Sequence, residues 1–539
     1  MGKRLIVISI ISCFLLLPGF LNTINDGQAL DSFQIDDDKR MHEFLNSNIN
    51  DEWNKTFGGA DVDSAFHVEE TNDGGYILVG GTGSFAEYGY EDIWLIKTDH
   101  KGNILWEKVF GGEDLDQGLC VRETLDSGFI IVGITYSFSS RVPHDENIIL
   151  IKTDKNGNEV WTKIIDNTAG DESGMSVRQT DDNGYIIVGD INSNGASFNV
   201  YLIKTDEYGD ELWNKTFDGG GFDGGDDVSQ TDDGGYIIVG VTSKVGGGLW
   251  LIKTDDTGNI LWDKVLGKGS DWGHCIQVTR DGCYIISGYT SQYGMGGQDV
   301  WLVKTDNNGN ELWNHTFGGG GFDWANHVSE TSDGGYILVG GTGSFSRNGG
   351  NDLWLIKTDI NGNKLWGRIL GGSDFENGHC VQETSDGGYI ISGWTESFGS
   401  GKRDCWLVKV TPDNGPPCKP VITGPSNGKV YRSYEYTVRS IDPEDDDIYY
   451  LILWDDSISG WMGPYESGEN VTFSHSWPSE GMYSIQVKSI DIHGWDSLLS
   501  NPLPVIIPKN NNNLFDLLGP KVFHNHPWLF PFMHLFSMT

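Results

Sequence analysis

The chain has 539 residues, 37% of them apolar and 12% aromatic, with 75 glycines and 20 tryptophans. That length holds two or more domains, and that composition belongs to many short strands joined by tight turns, not to disorder. The formal charge of -41 repels phosphate backbones and anionic lipid, which excludes nucleic-acid binding and leaves a solvated acidic surface.

The first element in chain order is a targeting segment. Lys3 and Arg4 precede an apolar run from Leu5 to Phe20, and a polar stretch then leads to the small residue Ala29. This layout predicts a secretory signal peptide over 1–29, with an uncleaved anchor as the alternative, followed by a linker over 30–50. Ile10-Ile11-Ser12-Cys13 fits a lipoprotein cleavage box, but the residues after it stay apolar.

From 51 to 411 one phrase recurs. It reads Asp-Gly-Gly-Tyr, an apolar run, then Trp-Leu-Ile-Lys-Thr-Asp, and its lysine falls at Lys97, Lys152, Lys204, Lys253, Lys304, Lys357 and Lys409. A period near fifty made of short strand-like runs predicts a β-propeller. In the first copy the expected strands are Phe66 to Thr71, Tyr76 to Gly80, Asp92 to Thr98 and Ile104 to Phe110. Asn72-Asp73-Gly74-Gly75 and Asp99 to Asn103 supply the turns, because Asp, Asn and Gly tolerate positive φ. The repeated tryptophans are sized to fill the gap between blades. The fourth, Trp-bearing strand follows only six copies, and its missing seventh, Glu52 to Phe57, stands at the front. The expectation is therefore an all-β chain whose seven-bladed propeller is closed by an N-terminal strand, which removes the exposed sheet edge.

Candidate chemistry in this region is sparse. The first strands carry His67, Cys120, Ser176, Asp227, Cys275, His327 and Cys380 at one recurring position. Thiols and imidazoles around an axis suit a soft or borderline metal. They come from different blades, however, and a seven-blade ring is expected to hold them too far apart for tetrahedral ligation. The Asp-x-Asn-Gly-Asn turns at Asp154 and Asp306 place Gly fourth, where a calcium loop needs it sixth, so they read as β-turns. Asn54, Asn214, Asn314 and Asn470 are glycosylation acceptors by sequence. No CxxC or adjacent-cysteine pair occurs.

Asp154 to Trp161, written Asp-x-x-Gly-Asn-x-x-Trp, resembles the tryptophan-docking repeat of quinoprotein-type propellers. The doublet Gly74-Gly75 before Tyr76 resembles Kelch repeats, although the later Tyr/Trp spacing differs. Both resemblances imply the fold and not an activity. Quinoprotein dehydrogenases generally have eight blades, many with a vicinal disulfide, where this chain shows seven copies and no such pair.

A breaker-rich linker over 412–417 ends the repeat. Residues 418–508 show about seven short strands, which suits a β-sandwich. Ile441-Asp442-Pro443-Glu444-Asp445-Asp446-Asp447, then Trp454-Asp455-Asp456, then Gly481-Met482-Tyr483 leading to Ser489-Ile490-Asp491 resemble PKD and related Ig-like modules of archaeal and bacterial surface proteins. The resemblance implies a spacer or adhesive unit. Asp442, Glu444, Asp445 and Asp446 form the calcium candidate, and no other cofactor is expected. The segment 509–539 is a polar linker and an aromatic tail, interrupted by Pro527 and Pro531, with possible membrane or envelope contact.

No Ser/His/Asp signature, metalloprotease motif or phosphate loop occurs. The functional expectation is a secreted or cell-surface, non-enzymatic binding or structural protein recognising carbohydrate or a surface protein. The loops between second and third strands, with Tyr88, Tyr90, Tyr136, Phe138, Tyr293, Phe345 and Phe398, are its expected recognition surface. The alternative is a secreted hydrolase or lyase acting on polysaccharide through paired carboxylates.

Overall fold

A computed structural model describes residues 52–508, apart from 89, 139–144, 167–169, 193–196, 347–349, 412–414 and 444–445. The expected signal peptide, the linker over 30–50, the tail, and Glu444 and Asp445 lie outside the described residues. The described chain is all-β apart from one 3-10 turn, Lys244–Gly246, and falls in one compact unit.

Each copy of the repeat forms four antiparallel strands joined in sequence order. In the first copy these are Asp63–Glu70, Tyr76–Thr82, Asp92–Thr98 and Ile104–Phe110. The first strand begins at Asp63, ahead of the expected Phe66, because a bulge between Ala65 and His67 lets pairing continue past it. In the first copy the second and third strands are buried along their whole length, as apolar runs on both faces require. The last copy takes its fourth strand from the front of the chain: Trp53–Phe57 pairs with Asp404–Val410, from Trp53 opposite Lys409 to Phe57 opposite Cys405.

Two recurring contacts hold the copies together. The fourth-strand tryptophan packs on the aromatic that opens the next copy's second strand, as in Trp106 on Phe129 and Trp213 on Tyr236. Seven such pairs, from Trp53–Tyr76 to Trp366–Tyr389, have centroids 5.8 to 6.4 Å apart. The tryptophan also lies against the next copy's Gly-Asn turn. At Gly157, φ is 74° and a Cβ would stand 2.4 Å from the Trp106 ring, so only glycine meets both demands. Within each copy the buried lysine ties the two turns, Lys97 reaching Asp73 at 2.9 Å and the Thr98 carbonyl at 3.1 Å. The Asp99 carboxylate accepts from the Lys101 and Asn103 N–H groups, which makes that turn an Asx turn.

Residues 418–508 form two small sheets around Tyr436, Trp454, Trp477, Ile485 and Val487. One contains Val421–Thr423, Tyr434–Arg439 and Val471–His475. The other is built on Gly481–Asp491, which pairs with Ile448–Leu453 and Leu503–Ile507. Its edge strand Trp495–Asp496 also pairs with Lys364–Leu370, the fourth strand of the sixth copy. The module is thus not suspended on a linker. It shares a nine-stranded sheet with one repeat.

Candidate functional site

The first strands bring the distinctive side chains together. Each lies beside the first strand of the next copy, and Glu376–Glu383 of the last lies beside Asp63–Glu70 of the first. All seven carry the bulge at the same point, for example between Gly118 and Cys120 and between Gly273 and Cys275. A constant bulge fixes which residues face inward at each level, so the seven strands compare position by position.

One level stands two residues before the bulged one. Its occupants on the first strands run Ser64, Gln117, Ser173, Gly224, Trp272, Trp324 and Asn377, and their cross-strand partners include Asp190, Tyr289 and Trp394. Trp272, Trp324 and Trp394 are half-buried. The Trp272 indole donates to Asp226 at 2.6 Å and stacks on His274 at 5.7 Å, and His274 Nδ1 lies 3.3 Å from Asp226. Trp324 donates to Asn377 Oδ1 at 3.1 Å, while the Arg403 guanidinium lies 3.9 Å over the Trp394 ring and pairs with Glu396 at 2.9 Å.

Carboxylates complete this level. Tyr136 and Ser173 donate to Glu146 at 2.5 and 2.6 Å. Gln117 donates to Glu91 at 2.5 Å, and the Gly225 N–H to Asp190 at 2.8 Å. Burial pushes Glu91 and Glu146 above the usual carboxylate range. Burial, then the nearby Asp226 charge, pushes Asp190 well above it. The arrangement offers flat apolar rings beside carboxyl groups that accept and, when protonated, donate hydrogen bonds. Sequence reasoning missed these residues. Their signal was that they occupy one strand position at which the copies disagree.

Deeper, the recurring His/Cys/Ser/Asp position lines the convergence of the first strands. Here the distance argument made from the sequence fails. Ligand atoms of His67, His327 and Cys380 all lie within 4.8 Å of one another. The His67 and His327 rings meet edge-on at 6.3 Å. Burial, then Arg122, holds the His67 pKa well below the usual imidazole range, and burial lowers that of His327 to about 4. Both rings are therefore neutral near pH 7 and keep a lone pair. Cys120, Cys275 and Cys380 each point the thiol at a backbone carbonyl, of Val177, Val328 and Val68 respectively. Asp227 is occupied by Ser176, Arg178 and the Ile276 N–H. All six described cysteines are free.

The expected recognition aromatics divide. Tyr88, Tyr90, Phe138 and Tyr293 are exposed. Tyr293, Phe345 and Phe398 pack on the third-strand tryptophans Trp301, Trp354 and Trp406 at 5.9, 5.2 and 5.7 Å, a recurring structural contact. Phe345 is corrected as a surface residue. It is 2% exposed, its carbonyl accepts from Trp461 of the C-terminal module, and the Lys488 ammonium lies 3.6 Å over its ring. Tyr136 is engaged by Glu146. Asp442 is buried and accepts from the Asp446 N–H at 3.2 Å, Asp446 lies 3.3 Å from His493, and Asp491 joins them, its pKa raised to about 8 by burial. Asn214, Asn314 and Asn470 are exposed and Asn54 is half-buried.

No family model matches the chain, and no curated protein matches it. Among solved structures, the chain is similar to the PKD domain of an M14-like peptidase from Thermoplasmatales archaeon SCGC AB-540-F20. Identity is 43% and the TM-score 0.17, with 18% of this chain and 99% of that one covered.

Proposed function

We propose that the protein is a secreted or cell-surface carbohydrate-binding protein without catalytic activity, built as a closed seven-bladed β-propeller with a PKD-type, Ig-like module docked on one blade. The sheet completed by Trp53–Phe57 and the seven equivalent tryptophan contacts support the ring. The apolar run before Ala29 supports export, and the 441–447 and 481–491 segments support the PKD assignment. One observation carries the choice of ligand: Trp272, Trp324 and Trp394 share a level with Glu91, Glu146 and Asp190, and Asp226 holds the Trp272 indole. Half-buried aromatic faces stack on the C–H faces of sugar rings, and fixed carboxyls bind their hydroxyls. A flat protein partner would call for a broader exposed apolar face.

A glycan array followed by calorimetry tests this. Binding of a polysaccharide by the full chain, lost at least tenfold in Trp272→Ala and in Trp394→Ala but kept in Tyr88→Ala, is the expected result. Equal loss in Tyr88→Ala would move recognition to the loops. The raised pKa values of Glu146 and Asp190 favour a second reading, a polysaccharide hydrolase using one carboxyl as general acid. New reducing ends released by the full chain and abolished by Glu146→Gln would establish it over the first.

A further inference from the structure

We infer that His67, His327 and Cys380 bind one borderline-soft transition-metal ion of the zinc class, with a coordination position left open. The three come from Asp63–Glu70, Asp323–Glu330 and Glu376–Glu383, first strands that neighbour one another. Their ligand atoms already lie within 4.8 Å. Bonds of about 2.0–2.3 Å around a tetrahedral ion put ligand atoms roughly 3.3–3.8 Å apart, so small side-chain rotations close the site. Two imidazoles and a thiolate are soft for calcium or magnesium and suit zinc, cobalt or copper.

A second observation points to a missing ligand. His67 is 6% exposed, and neither of its ring nitrogens has a hydrogen-bond partner. Buried polar atoms are rarely left so. The buried Nδ1 of His327 likewise has no hydrogen-bond partner. Cys380 spends its thiol on the Val68 carbonyl at 3.4 Å, a weak bond to give up. Binding exchanges that thiol proton, released to solvent, for the ion. Arg122 faces the group and would oppose a cation alone, but Glu69 and Asp227 face Arg122 and offset it. The aromatic and carboxyl level described above is separate, so this site and glycan binding stand or fall independently.

The full chain, stripped with chelator and titrated with zinc and then cobalt, provides the test. One equivalent should bind, and cobalt should give a near-ultraviolet thiolate charge-transfer band. That band should persist in Cys275→Ser, vanish in Cys380→Ser, and need at least tenfold more cobalt in His67→Phe. Near-ultraviolet circular dichroism reports whether each variant folds. Cadmium NMR on the unaltered chain, read for mixed sulfur and nitrogen ligation, decides the matter if a variant does not. Failure to bind a stoichiometric ion, a band that survives Cys380→Ser, or a cadmium shift without sulfur would overturn the site.

Discussion

The fourth strand of the sixth repeat, Lys364–Leu370, differs from its counterparts although its sequence follows theirs. Ile104–Phe110 alternates exposed and half-buried residues, whereas Gly367 to Leu370 are all buried. The position after the tryptophan is Asn54, Glu107, Thr162, Asn214, Asp263 or Asn314 elsewhere and Gly367 here. A Cβ at Gly367 would stand 2.2 Å from Asp496 Oδ1, so glycine is what lets Trp495–Asp496 add to the sheet. Around that contact, Trp366 meets Trp495 edge-on at 4.6 Å and Arg368 pairs with Glu52 at 2.7 Å. Lys364 pairs with Asp496 at 2.7 Å, and Lys488 binds the same carboxylate. Among the described residues no other fourth strand pairs with a strand outside its own repeat. One side chain removed from an otherwise repeated edge thus separates an edge facing solvent from one that recruits a domain.

Removing the carboxylate breaks this comparison most severely. Asp496→Ala leaves Lys364 and Lys488 buried without their counter-charge and should cost about 3–5 kcal/mol in chemical denaturation. A loss below about 1 kcal/mol would mean the interface is not held by its charges. Gly367→Asn installs the residue of the second-to-last free edge and should cost about 1–3 kcal/mol through overpacking, with faster proteolysis between the repeat and the C-terminal module. The reciprocal Asn314→Gly should leave that susceptibility unchanged.

The two kinds of edge should also differ with pH. Burial, and the adjacent Lys488 ammonium, lower the Lys364 pKa to about 7 despite Asp496. The folded state then binds fewer protons than the unfolded chain between about 7 and 10.4, so this group makes stability rise with pH across that window, by less than about 1.4 kcal/mol per unit. Lys364→Met should flatten that rise in denaturant midpoints measured from neutral to alkaline pH. The turn carboxylates respond on the acid side. Burial alone would raise Asp333, but the Thr331 hydroxyl, the Lys357 ammonium and the Gly335 N–H hold it at about 2, with Asp73 and Asp386 alike. Their contribution is present above about 4 and is lost as pH falls through 2. The smallest effect belongs to an exposed free-edge residue: Asn214→Gln should shift stability by no more than about 0.5 kcal/mol, while removing any glycan attached there, as a gel-mobility shift would show.

Much of the repeat was legible in the sequence, because each turn and each packed ring needs a particular residue type. The pairing of Trp53–Phe57 with Asp404–Val410 followed from counting tryptophans. The docked module was readable only as the single departure at Gly367, since pairing between distant segments leaves no periodic trace. The His67, His327 and Cys380 column was visible, but their approach depends on how closely neighbouring first strands pack and on the bulge that re-aims them. Neither is a property of local sequence. Trp272, Trp324 and Trp394 stand outside the repeated phrase, at strand positions where the copies disagree, so no periodicity marks them.

The pairing of the front of the chain with its end has a consequence for synthesis. Trp53–Phe57 has no sheet to join until Asp404–Val410 has left the ribosome, some 350 residues later. At about 5–20 residues per second, that strand and its ring at Trp53 wait for tens of seconds. During that interval the face of Tyr76 that Trp53 will cover stays open to any other chain. The seam that completes the last repeat's sheet therefore forms only after all seven repeats have been made, and until then the nascent chain carries an open edge.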